Sequence, residues 1–565
     1  MSTARPRSRV LVIGLDGAPF DLLSRWAAAG HLRTIARLLE RGAGGPLQST
    51  MPPTSGPAWT SFATGMNPGR TGVYDFLYRR PGSYLFPPVN ASMRSGRTLW
   101  RLLSDAGLTV GVVNVPITYP VEPVRGSFVS GWMTPYFAKD YTYPLSLAAE
   151  IEAKVGDYRI YPSETFSERG ARAFFDASDE LLDLLTRTTL LLMDRDDWDF
   201  FMTVYFDVDR ILHQLWHALD EGHPWRRRRG GAAAGRHEAA VLRWFRRLDD
   251  DIAKVIAKAG EDATVILMSD HGMGRASRFV VLNNLLVELG HLRLASDGVT
   301  RLKSLALRSG LSLRNVHRIV DGLGIAKHAE YKNVYSMDAL LKRFFLSFHN
   351  VDWEKSRAYS FGRHYGSLFL NVRGREPRGI VERGAEYERT RDEIAASLLA
   401  WKDPELGRPL VAKALRREEI WHGGRLDEAP DLVLLPEDDS DIFYGLSDFG
   451  SARIWDETYR YSGMHRDNGT FVAAGPLVRG GALPPQASII DLAPTILYLL
   501  DQEIPEDMDG RVIGEILDPG LLASRPVRRS AASGDDQRPG GAAHEYSAEE
   551  EAAVMQRLRD LGYLN

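Results

Sequence analysis

The chain contains no cysteine. That absence removes disulfide staples, thiolate metal sites and cysteine nucleophiles together, and leaves His, Asp and Glu as the strong metal ligands. Long apolar runs are also missing. The basic start MSTARPRSR leads into VLVIGL, which Asp16 and Gly17 interrupt, too soon for a secretory signal and far short of the roughly 20 apolar residues of a membrane span. A cytoplasmic protein without a membrane span is the expectation. Excess charge is lacking as well: the formal net charge of -4 supplies no field for holding a nucleic-acid polymer, so any phosphate recognition must be local. With 565 residues, 44% of them hydrophobic, the chain has ample material for a large buried core.

What is present alternates β-branched apolar runs with helical stretches, the pattern of an α/β sheet sandwiched between helices. Core strands are expected at Val10 to Leu15, Thr109 to Val113, Phe200 to Phe206, Thr264 to Met268, Asp431 to Leu435 and Gly469 to Ala474. Helices are expected at Pro57 to Thr64, Leu99 to Ala106, Val241 to Ala259 and Ile490 to Leu500. Residues 1–274 and 356–518 form one discontinuous catalytic domain on this reading. The basic, helical stretch 275–355 is an inserted cap. The arginine-rich HPWRRRRGGAAAGRHE, His223 to Glu238, reads as a solvated loop. A flexible linker is expected at 519–546, rich in Gly, Ser, Pro and charge. A C-terminal helix follows at 547–565, capped by Ser547, with Val554, Leu558 and Leu561 on one face for docking on its own chain or for self-association.

Five short segments carry chemistry. VLVIGLDG ends a buried strand at Asp16, and VILMSDHG does the same at Asp270 and His271. Ligand sites in open α/β sheets form at such carboxyl ends. DVDRILH sets Asp209 and His213 four apart, on one helical face, where a carboxylate and an imidazole suit zinc. In MPPTSGP, Ser55 directly precedes a helix whose N-terminus favours anions, and a metal beside its oxygen makes a nucleophile. SGMHRDNGTFVAAGP adds His465. Taken singly, each has an ordinary structural reading, such as a helix cap or a surface ion pair.

Taken together and in this order, they resemble the alkaline phosphatase superfamily, most closely its type I phosphodiesterase and nucleotide pyrophosphatase branch, from about Val10 to Arg511. PAWTSFATGMNPGRTGVYDF and ILMSDHGMG carry the match further. The resemblance implies an alkaline-phosphatase-like fold and two divalent metals. One is held by Asp209, His213 and His465, the other by Asp16, Asp270, His271 and Ser55. Zinc suits three His among carboxylates, with Mn or Mg as alternatives. Ser55 is the implied nucleophile, Thr54 its competitor, and the implied reaction cleaves a phosphodiester or pyrophosphate bond in a small phosphorylated substrate through a phosphoserine.

Departures from the family bear on the substrate. The branch usually carries Thr at the nucleophile and an Asn about twenty residues later; here those places hold Ser55 and, near the second, Asp75 and Phe76. The sulfatase pattern C/S-x-P-x-R is absent, since Trp59 stands where its Arg would be. Gly56, Trp59, Phe76, Arg363 and His364 are the candidate substrate contacts. Aromatic residues near Ser55 favour a diester; a phosphomonoesterase, a phosphotransferase or phosphomutase, and a non-catalytic scaffold stay open.

Overall fold

The structure, a computed structural model, describes residues 8–162, 164, 166–229, 231–310, 345–445, 449, 451–458, 461–481, 486–532 and 544–560. Eight strands form the central sheet: β1 (Arg9–Leu15), β2 (Ala43–Gln48), β3 (Val110–Val115), β4 (Gly126–Ser130), β5 (Thr142–Tyr143), β6 (Phe200–Tyr205), β7 (Ala263–Met268) and, late in the chain, β18 (Asn468–Ala474). Their order is β2-β18-β7-β1-β6-β3-β4-β5. The middle is parallel and β18 runs antiparallel to β7 and β2.

Side chains alternate across a strand. Leu11, Ile13 and Leu15 of β1 therefore enter one apolar cluster, with the helices Ala171–Arg195, Asp207–Leu219 and Gly231–Ala259. Val10 and Val12 enter another, with the helices Ser55–Thr64 and Leu492–Leu499. Both faces are covered, which is why these strands read as continuous apolar runs. Register places Leu15 beside Tyr205 and Gly14 beside Met268, so β1, β6 and β7 end on one rim.

A second lobe follows β7. The short β8 (Gly272–Arg275) leads into β9 (Arg278–Val281), β10 (Ala358–Ser360), β11 (Gly362–His364), β12 (Gly366–Leu370), β13 (Val411–Arg416), β14 (Leu432–Pro436), β15 (Asp441–Gly445) and β16 (Trp455–Glu457). They make two four-stranded sheets, β10-β12-β14-β13 and β11-β15-β9-β16. The expected strand at Asp431 to Leu435 is therefore β14, outside the central sheet. A run buried on both faces reads the same in either sheet. The expected boundary at 355 also falls across the sheets, because β9 from the expected cap lies between β15 and β16. Residues 311–344 of that cap are outside the described residues.

The arginine-rich stretch is helical, at Pro224–Arg229 and again from Gly231. Arg and Ala are strong helix formers, and Trp225, Ala234 and His237 are buried, so this is no solvated loop. Part of the expected linker is built as well: Pro519–Ser524 is helical and Arg529–Ser530 pairs with Ile504–Pro505, while 533–543 lie outside the described residues. The last described helix, Ala548–Asp560, starts at a reciprocal cap in which Glu550 N donates to Ser547 Oγ and Ser547 N to the Glu550 carboxylate. Val554 and Leu558 bury against the second lobe's core with Phe76, Trp132 and Tyr161; Leu561 lies outside the described residues. Among the described residues no helix is long and apolar enough to cross a membrane.

Candidate metal centre

Strand ends build the site. Asp16 follows β1 and Asp270 follows β7, one residue past Ser269. The turn after Asp16 needs Gly17: its φ is +69°, and a Cβ there would lie 2.7 Å from Asp209 Oδ1. Gly17 N donates to Asp270 Oδ1 (3.1 Å) and Ala18 N to Ser269 Oγ (2.8 Å), which ties the two strand ends together. The Asp207–Leu219 helix begins directly after β6, so Asp209 and His213 point to the same side one turn apart. His465 arrives from β17 (Gly463–Arg466), which pairs antiparallel with β8 and sets His465 opposite Met273. Ser55 is the first residue of its helix.

All seven expected metal and nucleophile positions meet, each at most 3% exposed. Ser55 Oγ lies 3.1 Å from Asp16 Oδ1 and 3.1 Å from His271 Nε2. His271 Nε2 is 3.4 Å from Asp270 Oδ2 and 3.6 Å from Asp16 Oδ1. On the other side His213 Nε2 and His465 Nε2 are 2.9 Å apart, and each is within 3.4 Å of Asp209 Oδ1. The His271 and His465 rings stack at 3.8 Å. Asp16, Asp270 and His271 thus form one ligand group and Asp209, His271 and His465 a second, with His213 beside the latter.

The surrounding bonds orient the imidazoles. His213 Nδ1 faces Gly463 O (2.8 Å) and His271 Nδ1 faces Gly272 O (3.0 Å), each carbonyl accepting, so both rings turn Nε2 and its lone pair inward. Burial, then the neighbouring carboxylates Asp270 and Asp209, push the Asp16 carboxyl well above the usual range. Burial also raises Asp270 well above it. Burial and the adjoining His271 hold the His465 imidazole well below its ordinary value. Asp209 goes the other way: burial acts to raise it, but His213 and His465 outweigh that and hold it low. Two carboxyls pushed toward neutrality beside inward lone pairs mark a centre short of positive charge. Asp270 Oδ2 finds no hydrogen bond among the described residues. Oxygen and imidazole donors in this number fit two divalent cations.

The candidate substrate contacts divide. Trp59 is fully buried and its Nε1 donates to Asp16 Oδ2 (2.8 Å), so it orients a carboxylate and does not line a substrate surface. Nothing in the spacing distinguishes those two uses of an indole. Gly56 lets chain pass close to Ser55, since a Cβ there would sit 3.2 Å from Asp75 O. Phe76 packs edge-on against Trp132 at 4.4 Å. The Arg363 guanidinium lies over Phe279, Tyr444 and Tyr461, and Tyr461 stands edge-on to His213 at 5.8 Å. His364, at φ +86°, donates from Nε2 to His465 O (2.6 Å); burial lowers its imidazole to about 3, so it is a neutral donor that positions His465. Burial pushes the Asp75 carboxyl up to about 7 against the pull of the Phe76 amide and Arg363. Thr54 is the residue before the helix and its hydroxyl makes no cap bond; the hydroxyl between Asp16 and His271 is that of Ser55. Sequence reasoning passed over Ser269, Gly463 and Ser462, although all three lie inside or beside the quoted motifs.

The family model for type I phosphodiesterase / nucleotide pyrophosphatase matches residues 10–466. Among solved structures, the fold is similar to that of phosphonoacetate hydrolase from Sinorhizobium meliloti 1021 in complex with phosphonoformate. Identity is 16% over 88% of this chain and 96% of that chain, with a TM-score of 0.50. The same enzyme in complex with phosphonoacetate gives 15% identity, the same coverage and a TM-score of 0.49. At such identity the likeness is one of fold, and the large, mostly parallel sheet between two helical layers is the alkaline-phosphatase-like architecture expected from the sequence.

Proposed function

The chain belongs to the type I phosphodiesterase / nucleotide pyrophosphatase family, hydrolases that act on phosphorus esters, and from that premise we propose that it cleaves phosphodiester or pyrophosphate bonds of a small substrate with Ser55 as nucleophile. The observation that carries this reading is the position of Ser55 Oγ, 3.1 Å from both Asp16 Oδ1 and His271 Nε2. Asp16, Asp270, His271 and Ser55 would hold one divalent ion, and Asp209, His213 and His465 the other, zinc by ligand type with Mn or Mg as alternatives. When bound, such ions supply Lewis-acid charge stabilisation and lower the pKa of coordinated oxygens.

The chain's own residues do the rest. Ser55 gives up its proton to solvent, attacks phosphorus in line and displaces the leaving oxygen, which takes up a proton in turn, forming a phosphoserine. Water then attacks that phosphorus from the opposite side and restores the serine hydroxyl. The amides of Ser55 and Gly56, which a helix leaves without internal partners, stand at the positive end of the helix dipole, where they would donate to an anionic phosphoryl group. Trp59 fixes Asp16 and His364 fixes His465, so the ligands need little rearrangement in the transition state. The diester reading is supported by the family itself, type I phosphodiesterase / nucleotide pyrophosphatase.

Hydrolysis of bis(p-nitrophenyl) phosphate and p-nitrophenyl phosphate by zinc-, manganese- and magnesium-loaded protein tests this. Faster diester turnover is expected, falling by about 10³-fold or more in Ser55→Ala, which corresponds to about 4 kcal/mol of lost transition-state stabilisation. Full activity in Ser55→Ala would sink the nucleophile assignment. A monoester preference would sink the diesterase reading.

A further inference from the structure

A second histidine cluster lies on the same helix as the metal centre. The Asp207–Leu219 helix carries Asp209, His213 and His217 at successive four-residue steps, hence along one stripe. The first two face the centre. His217 faces His237, on the Gly231–Ala259 helix, and Glu168, in the turn before the Ala171–Arg195 helix. One donor atom from each of the three lies within 4.8 Å of the others. His237 Nε2 is 3.5 Å from Glu168 Oε2, and the two imidazole rings are 6.2 Å apart and nearly perpendicular.

The tautomer of a neutral His217 follows from its neighbour Ser462. That hydroxyl points its hydrogen at Gln214 O (3.0 Å), with His213 O at 3.4 Å. Toward His217 it can only accept, and it does so twice, from the backbone N (3.1 Å) and from Nδ1 (3.0 Å). The proton of a neutral His217 therefore sits on Nδ1 and the lone pair on Nε2. This is the arrangement in which a hydrogen bond at one ring nitrogen prepares the other for a metal. The two His are buried while the Glu168 carboxylate is about half exposed, so the cluster is open to solvent on one side only.

We propose that Glu168, His217 and His237 form a third cation site, separate from the binuclear centre, that takes a zinc-class divalent ion with water completing its coordination. Two imidazoles and one carboxylate make a donor set suited to zinc. Bound there, the ion ties together three segments that share no strand: the turn at 168 and two helices. One of those helices carries Asp209 and His213. The site is thus a staple on the element that delivers two ligands to the centre, and Ser462 sits between the two clusters, its N–H donating to His213 O at 2.8 Å.

The test is metal content of the full-length protein equilibrated with zinc alone, measured by inductively coupled plasma mass spectrometry for wild type, Glu168→Gln and His237→Gln. Each variant should carry one zinc fewer than wild type, and the zinc-dependent rise in Tm should shrink. Hydrolysis of bis(p-nitrophenyl) phosphate should stay within a few-fold of wild type. Glu168 is exposed enough that its amide replaces it without a packing change, which keeps the test open if His237→Gln fails to fold. Equal zinc content in wild type and Glu168→Gln, with the same zinc-dependent Tm, would overturn the proposal. The comparison is a difference between proteins, so it holds whatever the binuclear centre binds or catalyses.

Discussion

Two clusters of buried charge in this molecule face opposite problems. At the rim of the central sheet, Asp16, Asp270, His271 and His465 converge with no arginine or lysine among them, and burial drives the two carboxyls up and the His465 imidazole down. In the second lobe, Asp431 is just as buried, yet it accepts from Arg375 Nη1 (2.8 Å) and Nη2 (2.6 Å), Tyr387 OH (2.7 Å) and Leu370 N (2.6 Å). Burial alone would raise Asp431; Arg375 and then Arg417 outweigh it and hold the carboxyl at about 2. The contrast separates two uses of buried charge. A cluster that contains its own counter-charge holds the fold. One that lacks it is complete only when something positive enters, which is the mark of a functional site.

The sharpest break in this comparison comes from removing one carboxylate from each cluster. Asp270→Asn should lower bis(p-nitrophenyl) phosphate turnover by about 10³-fold, the loss of several kcal/mol of metal-borne stabilisation. The metal-free protein should unfold in urea at an unchanged or slightly higher midpoint, because this carboxyl is already driven toward its neutral form and the amide keeps the bond from Gly17. A large drop in the metal-free midpoint would contradict the reading. Asp431→Asn should do the reverse. It takes the charge from one of the two carboxylates that hold buried Arg375, the other being Glu376 at 2.9 Å, at a cost of about 3 kcal/mol, readable as a lower urea midpoint at constant m-value, while turnover per folded molecule stays near wild type.

Acid supplies a smaller effect with a definite sign. The Asp431 carboxyl holds its charge down to about 2 in the folded protein, whereas an unfolded aspartate protonates near 3.9. Its stabilisation is therefore whole above about pH 4 and is lost as pH falls from about 4 toward 2, about 2–3 kcal/mol in all. Urea midpoints measured over that window should fall more steeply for wild type than for Asp431→Asn. Parallel curves would show that the ion pair contributes no acid-labile stability.

Legibility in the sequence followed the length scale of the interactions. Asp16, Asp270 and His271 were readable because each ends an apolar run of the central sheet, and Asp209 and His213 because a four-residue step is one helical turn. His465 and Ser55 needed the order of the motifs as a whole. Strand and helix positions came within a few residues, except that the helix expected from Val241 begins at Gly231, since the arginines and alanines before it extend it. What could not be read was which sheet an apolar run joins: Leu432–Pro436 is buried like a central strand but pairs with β12 and β13. Nor could the indole of Trp59 be assigned to Asp16, or Glu168 to His217 and His237. Those contacts link segments far apart in the chain, and no local period reports them.

The position of β18 sets an order of events during synthesis. This strand lies between β2 and β7, and it follows directly after His465. Until it leaves the ribosome, β7 and β2 each present an open edge, the kind of surface that recruits other strands, and the centre lacks its last histidine. At about 5–20 residues per second, the stretch from the end of β7 at Met268 to the end of β18 at Ala474 takes roughly 10–40 seconds. Sheet closure and completion of the ligand set thus fall at nearly the same moment, late in translation. The stretch that seals the sheet is contiguous with the one that brings His465 to the candidate centre.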